Sequence, residues 1–162
     1  MKYSESKQKS FGPIRTILWA GLIAGILDAT AGVIVYFIFK ALNPIQVLQY
    51  IASGIYGNGA FEGGLLMALI GMILHFVIAY AFTVGFFIVY PFASSMFAKN
   101  IWATGLLYGL FIWLFMNLLV LPSSLTPKSP FGLVSMIEII WHVFLVGLPL
   151  VLIIHQYYTK RI

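Results

Sequence analysis

The run Met136-Ile-Glu-Ile-Ile-Trp-His-Val-Phe-Leu-Val-Gly-Leu-Pro149 sets a glutamate and a histidine four residues apart in otherwise apolar sequence. On a helix that spacing puts both side chains on one face. A carboxylate accepts hydrogen bonds, and an imidazole, with an unperturbed pKa of about 6.5, exchanges a proton in the physiological range or ligates a metal. Asp28, His75 and Asn117 sit in similar apolar surroundings. An ionisable group at bilayer depth costs at least about 2.5–3.5 kcal/mol on insertion scales, so such residues face protein or water rather than lipid. Five of them point to a polar core that binds a small ligand or moves protons, with His75 and His142 as the titrating groups. A second chemistry is a haem or metal site held by His75 and His142 at similar depth, with Glu138 as a further ligand. Asn117 thins that ligand set, and no cofactor is expected. The plainest alternative is structural. The same groups would then hydrogen-bond across a bundle, at about 0.6 kcal/mol per interhelical pair, in a subunit whose partner completes its surface. The number of costly groups favours a functional core.

Other chemistries lack their motifs. Glu138-Ile-Ile-Trp-His142 is E-x-x-x-H and lacks the second histidine of a zinc-protease helix. No nucleophile–base motif or phosphate loop is visible, so the chain reads as non-enzymatic. With no cysteine there is no disulfide, thiolate site or thiol nucleophile.

The elements that position these groups must be membrane helices. The 162 residues are 62% hydrophobic and 8% charged, with mean hydropathy +1.02. A soluble domain is nearer a quarter charged. Four apolar runs, about Thr16–Phe39, Gly64–Tyr90, Ile101–Leu121 and Phe131–His155, are long enough to cross a hydrocarbon core of about 30 Å. The fold class is therefore an all-α, four-helix transmembrane bundle over residues 16–162, preceded by a basic segment at 1–15. Pro91 and Pro122 close the second and third spans. Residues 121–130 hold three prolines and read as a loop. In the first loop, Ile45, Leu48, Ile51, Ala52 and Ile55 fall opposite Gln46, Gln49 and Ser53. That pattern predicts a short helix lying on the membrane surface or capping the bundle.

Lys2, Lys7, Lys9 and Arg15 precede the first run, and Ala29-Thr30-Ala31 mimics a cleavage site. The run continues past it to Phe39, however, so a retained helix is expected rather than a signal peptide. Lys2, Lys7, Lys9, Arg15, Lys99, Lys160 and Arg161 lie on the side of the termini, against Lys40 and Lys128 on the other. The positive-inside bias predicts cytoplasmic termini, in a bacterium at the inner membrane. The +5 net charge forms no basic face, so nucleic acid is not an expected partner. The expected partners are the lipid bilayer and, in a homo-oligomer, a second copy of the chain.

Small residues mark the inward faces. Gly21, Gly25, Asp28 and Gly32 share one stripe, and Gly64, Ala68, Gly71, His75 and Ala79 share another. Gly105 and Gly109 lead through Trp113 to Asn117, and Ser135, Glu138, His142 and Pro149 share the fourth face. Such stripes let helices approach closely, and Gly21/Gly25 and Gly105/Gly109 could equally serve a homodimer. Asp28, His75 and His142 fall near mid-span, with Asn117 and Glu138 further toward the outside. One cluster running from mid-membrane outward would hold all five. Pro149 frees the carbonyl of Leu145 and predicts a kink. Trp102, Trp113, Trp141 and the nine tyrosines read as interfacial anchors or filler.

Leu48-Gln-Tyr-Ile-Ala-Ser-Gly54, Phe61-Glu-Gly-Gly64, His75-Phe76, Met116-Asn-Leu-Leu-Val-Leu-Pro122 and His142 with Val146-Gly-Leu-Pro149 follow one another in an order that resembles the YagU-like group of bacterial inner-membrane proteins. The resemblance runs from Gly21 onward and implies a membrane bundle in the inner membrane, without an activity. It matches His75, Glu138 and His142 to polar positions of that group. Asn117 stands where some members carry histidine, and Asp28 has no counterpart.

Overall fold

The computed structural model describes residues 12–92 and 94–160, apart from the side chains of 97 and 98. Lys2, Lys7, Lys9 and Arg161, which weigh in the orientation argument, lie outside the described residues. The protein is an all-α membrane bundle. Four helices are long and apolar enough to cross a bilayer: α1 (Pro13–Lys40), α3 (Gly64–Val89, extended by a 3-10 turn to Phe92), α4 (Ile101–Val120) and α5 (Leu133–Thr159). Helix α2 (Pro44–Tyr56) lies between the first two. Among the described residues there is no strand.

Exposure is inverted relative to a soluble bundle. Ile26, Ile34, Ile38, Leu65, Ile73 and Leu107 point outward, while the small residues point in. A Cβ on Gly25 would lie 2.7 Å from the Phe76 ring, and one on Gly105 would lie 2.6 Å from Leu148. The Gly21/Gly25 stripe is therefore covered by α3, and the Gly105/Gly109 stripe by α5. Both stripes proposed for a homodimer are filled within the bundle. Without a hydrophobic difference between lipid and side chains, this close van der Waals approach holds the helices together.

Local signals set the helix ends. Ala41 takes a left-handed φ of 54°, and the Leu42 N–H returns to the Tyr36 carbonyl at 3.2 Å, which closes α1. Asn43 and Gln46 then form a reciprocal capping box, with Pro44 at the first turn of α2. Helix α2 does cap the bundle, but Gln49 and Ser53 of the expected polar stripe turn inward alongside Leu48, Ile51 and Ala52. Gln49 and Ser53 are buried, and Gln49 Nε2 donates to the Gly64 carbonyl at 2.9 Å. Ile45 and Ile55 face out. At a membrane surface the outer environment is apolar enough to take the isoleucines, while the helix junction supplies acceptors for the glutamine. The 121–130 loop is tied onto α2 by Leu125 N–H to the Gly54 carbonyl (3.0 Å) and Tyr50 OH to the Pro127 carbonyl (3.2 Å).

Two π turns interrupt the spans, at Met116–Val120 in α4 and His142–Gly147 in α5. Each ends two residues before a proline, Pro122 and Pro149. A proline offers no N–H to the carbonyl four residues earlier, and a wider turn upstream re-registers the backbone around that gap. The kink expected at Pro149 is realised as this π turn. The two turns carry Asn117 and His142.

Candidate functional site: a polar cavity under α2

Asp28, His75, Asn117, Glu138 and His142, drawn from all four spans, line one cavity of about 190 Å³. Val47, Leu48, Tyr50 and Ile51 of α2 roof it. Its apolar wall includes Ala24, Ile78, Phe82, Ile112 and Val146. That volume corresponds to about six waters at roughly 30 Å³ each, and exceeds the roughly 150 Å³ that admits benzene in an engineered protein cavity.

Each carboxylate is held by aromatic donors. Glu138 accepts from Tyr36 OH on Oε1 at 2.7 Å and from Trp113 Nε1 on Oε2 at 3.4 Å. Asp28 Oδ1 accepts from Trp141 Nε1 at 2.8 Å. A carboxylate with such charge-assisted bonds keeps its position inside the bundle. Trp113, Trp141 and Tyr36 are therefore not interfacial anchors or filler. They are the partners of the buried acids, whereas Trp19 and Trp102 point outward as anchors would. A sequence signal existed for two of them. Tyr36 continues the Asp28–Gly32 stripe by one more step of four, and Trp113 precedes Asn117 by four.

The histidines are fixed by backbone carbonyls. His75 Nε2 lies 2.9 Å from the Gly25 carbonyl, and His142 Nδ1 lies 2.8 Å from the Glu138 carbonyl. A carbonyl only accepts, so each of these nitrogens carries a hydrogen. His142 thus turns Nε2 toward Asp28 Oδ1, at 3.6 Å. Stacking on Trp141, with ring centroids 5.5 Å apart, holds the imidazole in place. Asn117 donates to the Trp113 carbonyl at 3.0 Å. In the roof, burial first and the Glu138 charge second raise the Tyr50 phenol above its ordinary value, so it remains a neutral donor to Pro127.

The arrangement offers no metal site of three or more acidic or histidine ligands among the described residues.

Away from α2 the cavity ends on an apolar plug. Ala20, Ala24, Phe86, Leu150, Val151 and Ile154 are buried there against one another. The buried hydroxyl of Thr83 is taken up by its own helix, at the Ala79 carbonyl (2.8 Å). The next histidine, His155, pairs with Tyr90 OH. It lies thirteen residues beyond His142, about 20 Å along a helix. No family model, no curated protein and no solved structure matches this chain.

Proposed function

We propose that the protein is a non-enzymatic, multi-pass protein of a bacterial inner membrane, with both termini cytoplasmic, whose cavity under α2 binds a small ligand. The four spans support the membrane location, the seven-to-two distribution of Lys and Arg supports the orientation, and the resemblance to the YagU-like group supports the compartment. One observation carries the choice of binding over proton conduction. Five polar groups line one cavity, whereas the core between α1 and α5 directly beyond it, at Ala20, Leu150, Val151 and Ile154, is packed apolar side chains. A proton relay needs donors and acceptors, or waters, at hydrogen-bond spacing along its whole length. The Asp28–His142 contact has no polar side chain to continue it through Leu150, Val151 and Ile154.

The absence of native cysteine makes the test clean. Ala29→Cys, on the cavity wall, is expected to react with methyl methanethiosulfonate in the folded protein. Ala20→Cys, fully buried in the plug, is expected to stay unreactive. Vesicles containing the wild-type protein should show the same proton leak as empty ones. Equal labelling at both positions, or a leak abolished by His142→Ala, would overturn the binding reading in favour of conduction.

A further inference from the structure

The ligand class follows from the hydrogen-bond balance of the cavity, and the argument rests on the cavity being a ligand site. Its donors are already engaged. Tyr36 OH is bound to Glu138, Trp141 Nε1 to Asp28 and Tyr50 OH to Pro127. His75 Nε2 and His142 Nδ1 are bound to the carbonyls of Gly25 and Glu138. One N–H of Asn117 is bound to Trp113, which leaves its second N–H as the spare donor.

The acceptors are in excess. Asp28 Oδ2, further lone pairs of Glu138, Asn117 Oδ1 and, in the neutral ring, His75 Nδ1 have no protein donor among the described residues. The described lining contains two carboxylates and no lysine or arginine. A ligand that brought further acceptors would leave these atoms unpaired in a low-dielectric space, where the penalty is largest. The complement is a compact group with several N–H donors and a positive charge.

The remaining wall decides between a bare cation and an organic one. A dehydrated metal ion needs converging oxygens, and the described acids and histidines do not converge in threes. Tyr36, Tyr50, Phe82 and Trp141 instead offer aromatic faces among aliphatic side chains, and Tyr36 and Tyr50 lie against one another with centroids 5.9 Å apart. Such rings favour a cationic head and cover methylene groups.

We propose that the cavity takes a small protonated amine, its ammonium between Asp28 and Glu138 and its carbon chain against Tyr36, Tyr50 and Phe82.

The test is calorimetric titration of the purified full chain in an uncharged maltoside detergent, with n-butylammonium, the equal-sized neutral 1-butanol, and potassium chloride as competitor. The expected result is one saturable n-butylammonium site per chain. Binding of 1-butanol should be weaker by at least about tenfold, and potassium should cause no displacement. Asp28→Asn and Glu138→Gln should each weaken the amine by a similar factor while leaving 1-butanol unchanged. If either variant fails to fold, the amine–alcohol comparison on the wild type decides alone. Equal affinity for 1-butanol, or displacement by potassium, overturns the amine assignment and leaves the binding cavity standing. Absence of any saturable binding overturns both.

Discussion

The same chemical change, glycine to alanine, is expected to have opposite signs at two positions of this bundle. Helices α4 and α5 cross at Gly105, Gly109 and Gly147, where backbone meets backbone. A Cβ on Gly147 would fall inside van der Waals contact with Gly105 O and Gly109 N, and 2.6 Å from Gly109 Cα, whereas real Cβ contacts essentially never come under 3.0 Å. No rotamer relieves this, because the obstructing atoms are main chain. The helices must separate, and overpacking of that kind typically costs 1–3 kcal/mol. Alanine recovers about 0.8–1 kcal/mol of helix propensity, an offset smaller than the upper part of that range. Three main-chain obstructions put the cost in the upper part of that range, about 2–3 kcal/mol, so Gly147→Ala should destabilise by roughly 1–2 kcal/mol, and by opening the crossing it should loosen the π turn that holds His142. At Gly32 a Cβ would meet nothing within 4 Å, since the residue faces the cavity. Gly32→Ala keeps the propensity gain alone and should stabilise by about 0.5–1 kcal/mol. Unfolding by sodium dodecyl sulfate in mixed micelles, followed by far-UV circular dichroism, measures both. A neutral Gly147→Ala, or a Gly32→Ala that is the less stable of the two, would refute the packing on which the site depends.

Ala41→Gly should stabilise by about 1 kcal/mol in the same assay, because Ala41 holds a left-handed φ of 54° that costs an L-residue roughly 1–2 kcal/mol. Tyr36→Phe removes the shorter of the two bonds to Glu138 and should cost about 1–2 kcal/mol, in the range for hydrogen bonds to charged groups. A cost no larger than that of Tyr56→Phe, at an exposed ring in α2, would show that the Glu138 network contributes nothing. Tyr50 gives a pH dependence. Its phenol is raised in the folded state, so its contribution is complete below the unfolded value of about 10 and is lost as pH rises through the higher folded value. Stability measured from pH 8 to 11 should fall more steeply in the wild type than in Tyr50→Phe, and identical slopes would remove Tyr50 from the roof.

The four spans and the five polar residues were legible in the sequence for one reason. Lipid penalises exposed charge and leaves helix association to close packing, so Asp28 and His75 had to share faces with glycines. The partners of the acids were hidden because an aromatic residue in a membrane chain defaults to anchor or filler. Nothing but the fold brings Trp141 across to Asp28, 113 residues away. The inward turn of Gln49 and Ser53 in α2 was hidden because an apolar stripe points to the core only where the outside is water. The π turns were announced by Pro122 and Pro149, but how the backbone yields there depends on its neighbours: Gly109 lies directly against His142 and Val143.

The central claim is that the space under α2 is the ligand site, and filling that space without touching its polar groups tests it most directly. Gly32→Leu puts a side chain into the cavity from a backbone position with open space in front of it. Titration of n-butylammonium into wild type and Gly32→Leu, both shown folded by circular dichroism, is the measurement. The account predicts saturable binding to the wild type and none to the filled variant. Unchanged affinity in Gly32→Leu would place the site elsewhere and contradict it.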